Sequence, residues 1–134
     1  MALESNRQIT LYYDSTSKLG KQAYADAQAT KAAVLPLDVT SEKVSGTTWI
    51  RLAKKLDLDV GELINQDHPV FKNLYGNEKV DLSVEDILKV LEKHPETLVY
   101  PIAVRGDKAI LVKQSTDMRK LKYPDSKGTN LRMS

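Results

Sequence analysis

The chain contains no cysteine, and that absence excludes more chemistry than any residue present suggests. Without a thiol there is no disulfide, no mixed disulfide and no thiolate nucleophile. A thiolate metal site is excluded for the same reason. Histidine is almost as scarce: the 2 present, His68 and His94, each precede a proline. Neither has an acid arranged to orient it as a general base. No apolar run approaches the length needed to span a bilayer. An excess of one charge is missing too, since 20 Lys and Arg against 18 Asp and Glu leave a net +2. That balance implies neither a nucleic-acid nor a membrane partner, and the short basic cluster Arg119, Lys120 and Lys122 reads as solvated surface. The opening MALESNRQIT has neither an apolar core nor a small-residue cleavage pattern, so a secretion signal is not expected and a cytoplasmic setting is.

What is present is ordinary for a globular protein. With 134 residues, 41% hydrophobic and 28% charged, the chain is expected to form one domain with a single core. Residues 8 to 13 (QITLYY) alternate as a strand. Thr16 or Ser17 can cap a helix over about residues 18 to 30, which carries Leu19, Ala23, Tyr24 and Ala27 at helical spacing. Residues 33 to 38 (AVLPLD) form a second apolar run, so this first third predicts a right-handed βαβ unit with parallel strands. Residues 39 to 95 read as almost wholly helical. Thr47 or Thr48 is expected to cap a helix that buries Trp49, Leu52, Ala53 and Leu56. A helical turn starts at Asp59, and Ser83 with Asp86 resembles a capping box opening a helix that ends at His94–Pro95. Between them, residues 65 to 79 have no sustained period and are expected to form a loop with at most a turn of helix. YPIAV and KAILV, joined through Arg105-Gly106-Asp107, predict a hairpin, and Ser115 is expected to cap a last helix with Met118 and Leu121 inside.

The order is therefore β-α-β, a helical insertion, then β-β-α: an α/β fold with a four-stranded mixed sheet in a thioredoxin-like layout. The expected boundaries are a flexible stretch at 1 to 7, a single domain over 8 to 121 with its insertion at about 40 to 97, and a polar flexible tail over 122 to 134.

Three hydroxyls, Ser15-Thr16-Ser17, stand where a strand passes into a helix. They read either as a plain N-cap or as a retained anion or small-molecule site, with Lys18 and Lys21 on the first turn. Trp49 falls on an apolar stripe and reads as core. Asp14, Asp38 and Asp57 are spaced like caps and loop residues, not like a metal set or an acid–base pair. Glu62 and Asp67 have no visible partner. Arg105-Gly106-Asp107 reads as a turn and not as an adhesion tripeptide.

LYYDSTSKLGKQ, the middle with LINQDHPVFKNLYG, and YPIAVRGDKAILVKQS together resemble the family of ArsC-type arsenate reductases and Spx-type regulators, over about residues 8 to 121. The resemblance implies a thioredoxin-like fold, with Ser17 where the catalytic cysteine would stand. Family arginines around the oxyanion are matched by Asn65, Tyr100 and Lys113, so one of three keeps positive charge, without the planar fork that oxyanions favour. The resemblance also implies a cis bond at Tyr100–Pro101 beside the active loop, the alternative being an ordinary trans proline at a strand start. A serine has no redox chemistry of a thiol, and no base stands ready to activate it.

Three functions stay open at this point. The first is a cysteine-free, non-catalytic member, a pseudoenzyme binding a small ligand or acting as a regulator through Thr16, Ser17, Lys18, Lys21, Asn65, Tyr100, Pro101 and Lys113. The second is a glutathione-dependent enzyme in which Ser17 donates to the thiolate of that peptide. The third is an Spx-like adaptor meeting a protein partner through the first helix. No cofactor or metal is expected; a small anion, a thiol peptide such as glutathione, or a protein is the expected partner.

Overall fold

The computed structural model describes residues 8–121. Two compact units divide them: one reaches to Asp38 and resumes at Tyr100, and the other is Val39–Val99.

In the first unit, the alternation of QITLYY forms β1 (Gln8–Tyr13), whose Ile9, Leu11 and Tyr13 all turn to one buried face. The alanine-rich stretch that follows forms α1 (Lys18–Ala29), with Ala23 and Ala27 buried one turn apart. After it, β2 (Ala33–Asp38) runs parallel to β1, in register from Gln8↔Ala33 to Tyr13↔Asp38. The chain returns to this unit as the hairpin β3 (Ile102–Arg105) and β4 (Lys108–Leu111). β3 lies antiparallel to β1, so the mixed four-stranded sheet has the order β2-β1-β3-β4. Pro36 sits on β2, an edge strand, where a missing N–H interrupts no ladder between two neighbours. The hairpin turns on Gly106 and Asp107, with Gly106 at φ 64°, a backbone state that glycine adopts without steric cost. Small alanines on α1 allow the helix to lie close to β1, and Ala103, Val112, Met118 and Leu121 complete this core.

The second unit is helical. α2 (Gly46–Lys55) buries Trp49, Leu52 and Ala53; a 3₁₀ turn over Val60–Leu63 follows; α3 (Pro69–Tyr75) buries Phe71; and α4 (Val84–Lys93) buries Ile87, Val90 and Leu91. Trp49 is 1% exposed, as its place on the apolar stripe predicts. A short backbone bridge closes the unit: Asn65 N–H donates to Thr97 O at 2.7 Å and Val99 N–H to Leu63 O at 2.7 Å. Thr97 is fully buried and satisfied, its hydroxyl donating to His94 O at 2.8 Å. No described helix is long and apolar enough to cross a membrane.

Several local expectations need correction. The cap of α2 is Ser45, not Thr47 or Thr48; Ser45 has the extended backbone a cap needs, and its Oγ accepts the Thr48 N–H at 3.1 Å. Within residues 65 to 79, expected to be a loop with at most a turn of helix, residues 69 to 75 form α3. His68 caps it, with Nδ1 accepting the Val70 N–H at 3.1 Å, and Pro69 occupies the first helical position, where its missing N–H costs nothing. Ser115 is the first residue of the last helix, not the one before it. The final segment is a 3₁₀ helix, Ser115–Leu121, anchored by the Asp117 carboxylate, which accepts the N–H groups of Lys113 at 2.9 Å and Gln114 at 3.2 Å. Glu62, Asp67 and His94 have partners after all: Glu62 Oε2 accepts the Asp59 N–H at 2.9 Å, Asp67 lies 3.9 Å from the Lys79 ammonium, and His94 Nδ1 lies 3.6 Å from Glu96 Oε2. The expected stretches at 1 to 7 and 122 to 134 lie outside the described residues.

Candidate functional site

The loop from β1 into α1 uses every hydroxyl it contains. Ser15 Oγ donates to Asp38 Oδ2, and its N–H donates to Asp38 Oδ1 at 3.2 Å, tying the loop to the end of β2. Thr16 N–H donates to Asp14 Oδ1 at 2.8 Å, and its hydroxyl goes to the same oxygen. Ser17 is the N-cap of α1. Its Oγ accepts the Gly20 N–H at 2.8 Å and donates its single proton to Asp14 O at 3.1 Å. The wrap is tight enough to require a glycine: a Cβ on Gly20 would lie 2.0 Å from Asp14 O and 2.8 Å from Ser17 Oγ. Behind the loop, the buried Tyr13 ring packs against Tyr24, tilted by 41° with centroids 5.4 Å apart. Burial pushes the Tyr13 phenol above its ordinary value of 10.0, and the Asp38 carboxylate and Tyr24 push the same way.

At the other candidate position of this unit, the Lys113 ammonium rests 5.4 Å from the centre of the Tyr100 ring, a cation–π contact. Asp117, just beyond, is 7% exposed. The Lys113 N–H holds its carboxyl below the ordinary 3.8 despite its burial, with the Gln114 N–H and Lys120 adding to the effect. The described residues contain no cis peptide bond, so Tyr100–Pro101 is trans, which corrects the cis bond implied by the resemblance. Pro101 enters the sheet as an extension of β3, its carbonyl accepting the Val112 N–H at 2.8 Å. Trans is also the form that an X–Pro bond favours by about 0.5–1 kcal/mol.

The comparison with solved structures follows from this topology. The chain superposes on an arsenate reductase from Vibrio cholerae with a TM-score of 0.73 and 16% identity, covering 90% of this chain and 99% of that one. An arsenate reductase (ArsC) related protein from Brucella melitensis gives a TM-score of 0.63 at 16% identity, covering 84% of this chain and 92% of that one. The fold is that of the ArsC arsenate reductases. No protein-family model matches the chain, and no curated protein matches it in sequence.

Within this ArsC-like fold, the predicted site residues have separate local roles. Thr16 and Ser17 are staples of the loop. Lys18 and Lys21 stand on the first turn of α1, both exposed. Tyr100 and Lys113 are brought together; Pro101 is buried in the sheet. Asn65 belongs to the helical unit, where its Oδ1 accepts the Asp67 N–H at 2.9 Å. Among the described residues, no three His, Asp or Glu side chains converge to hold a metal ion. Asp14 and Asp38, both bonded into the loop, add negative charge beside the helix N-terminus, where an oxyanion would otherwise be drawn. The sequence reading missed Gly20 and Asp117. A glycine in the first turn of an alanine-rich helix was the available signal for the former, and an acid three residues after Gln114 for the latter.

Proposed function

We propose that this chain is a pseudoenzyme of ArsC-like fold that acts by binding, as a regulatory protein, and turns over neither arsenate nor a disulfide. The observation that carries this reading is the commitment of Ser17. Its proton goes to Asp14 O and one lone pair receives the Gly20 N–H, so the residue at the corner is a cap. A cap of this kind is worth about 1 kcal/mol to the helix, and the chain holds no sulfur to replace it in redox work.

The glutathione reading asks Ser17 to give its proton to a substrate thiolate, which means breaking the bond to Asp14 O. The small-anion reading has Lys18, Lys21 and Lys113 in its favour, but the Asp14 and Asp38 carboxylates oppose it. Binding to a protein partner, the adaptor reading, requires neither change and is the form of regulation we favour. The cytoplasmic setting expected from the sequence is part of the same proposal.

Titration calorimetry with sulfate, arsenate and glutathione, paired with an arsenate-reduction assay supplied with glutathione and glutaredoxin, tests this. The expected result is no heat at millimolar ligand and no turnover above the protein-free control. Sustained turnover by the wild-type chain would overturn the reading; saturable heat with glutathione would restore the thiol-peptide site.

A further inference from the structure

The helical unit carries a groove that nothing in the ArsC-like corner uses. It has a volume of about 460 Å³ and lies between the 3₁₀ turn, the start of α3 and the start of α4. Its floor is apolar, formed by Val60, Ile64, Phe71 and Ile87, all buried. Its rim is acidic: Asp59, Glu62 and Asp81 line it, and no lysine or arginine is among the described lining residues. This reverses the charge of a chain whose overall balance is +2.

One wall is held in place by a side chain acting as a strand would. Gln66 Nε2 donates to Val80 O at 3.0 Å, and Val80 N–H donates back to Gln66 Oε1 at 3.1 Å. The wall has no helix or strand of its own, and these two bonds tie it to Gln66. At the mouth, Val84 is 51% exposed. The apolar surface also continues beyond the groove along α3: Phe71 stacks on Tyr75 with ring centres 4.9 Å apart, and Tyr75 and Leu74 are 37% and 50% exposed.

We propose that this groove is the docking site for a short, basic, amphipathic segment of a partner protein. An apolar side chain of that segment enters over Phe71 and Ile87, and flanking Lys or Arg residues meet Asp59, Glu62 and Asp81. The volume falls in the range of clefts that take a small molecule or a few side chains and is too small for a whole protein face; the exposed apolar path along α3 gives a peptide more to cover than a small amine could. The one-sided acidic rim selects the sign of the partner. This inference deepens the regulatory reading above and rests on it.

The test is fluorescence anisotropy with the labelled peptide KKLLKKLLKK and its acidic twin EELLEELLEE. The basic peptide is expected to bind saturably, more weakly as salt rises, and the acidic twin not to bind. Asp81→Lys and Val84→Lys, both at exposed positions, are each expected to weaken binding of the basic peptide about tenfold, or about 1.4 kcal/mol. Asp107→Lys, a charge reversal in the hairpin of the other unit, is expected to change it less than twofold, and thermal melts verify that each variant is folded. Equal binding of the two peptides, or binding indifferent to both groove variants, would overturn the proposal. Complete displacement of the peptide by hexylamine would assign the groove to small amines and overturn it as well. Failure here leaves the non-catalytic reading standing, whereas arsenate turnover by the wild type removes that reading and leaves the groove measurements intact.

Discussion

Replacing Gly20 with alanine sets two physical effects directly against each other. By helix propensity alone the change should stabilise α1 by up to about 1 kcal/mol. The geometry opposes it: the new Cβ would lie 2.0 Å from Asp14 O and 2.9 Å from Asp14 C. Those are backbone atoms and cannot swing aside, so the loop must lift by more than an ångström. Three bonds then go: Ser17 N–H to Asp14 O at 3.1 Å, Ser17 Oγ to Asp14 O at 3.1 Å, and Gly20 N–H to Ser17 Oγ at 2.8 Å. At about 1 kcal/mol each the loss is about 3 kcal/mol, leaving a net destabilisation of about 2 kcal/mol. Urea unfolding followed by far-UV circular dichroism measures it. Ser17→Ala alone should cost about 1 kcal/mol, and Gly20→Ala in that background should cost less than in the wild type, because the two bonds to Ser17 Oγ are already gone. A Gly20→Ala variant as stable as the wild type, or more so, would refute the closed-loop geometry. The claim that Ser17 is committed to its cap would fall with it.

Other positions give independent checks. Lys31 follows α1 with φ 71°, a left-handed state that disfavours side chains; Lys31→Gly should raise stability by about 0.5 kcal/mol in the same urea assay. Asp117 has its carboxyl held below 3.8 by the Lys113 N–H, so the stability it contributes is present above that ordinary value and is lost as pH falls through the lower folded value. Asp117→Asn should therefore lower the melting temperature by several degrees at pH 7 and narrow its gap to the wild type below pH 3, as thermal melts across pH would show. The Lys43–Glu92 pair at 2.8 Å has side chains 75% and 49% exposed, and exposed pairs of this kind contribute little. Lys43→Ala should leave the melting temperature unchanged within error. Phe71 is 1% exposed at the floor of the groove, and Phe71→Ala should cost about 3–5 kcal/mol, seen as an early urea midpoint.

The resemblance and the order of elements agree because both rest on local pattern. The alternation of QITLYY, the alanine spacing after Lys18 and the Gly-Asp turn before KAILV each fix an element through contacts within a few residues. They were legible without coordinates, and so was the exclusion of thiol chemistry, which requires only counting cysteines. Caps were read less well. Ser45, Thr47 and Thr48 put three hydroxyls within four residues that offer the same capping chemistry, and only the backbone angles separate them. α3 is longer than the turn of helix expected there, because the segment has no sustained apolar period and its start is set by proline at the first helical position. Ser17 as a cap of α1 was legible from its place between strand and helix, whereas the partner of Ser15 was not. Asp14 O receives Ser17 from three residues away, whereas Asp38 receives Ser15 across 23 positions of sequence. The groove in the helical unit is a tertiary property in the same sense, since its acids and apolar floor come from three separate segments. Composition and period thus determined the elements and the missing chemistry. Which side chain stands beside which was decided by chain closure, because hydrogen bonds and clefts depend on distances that a linear pattern does not encode.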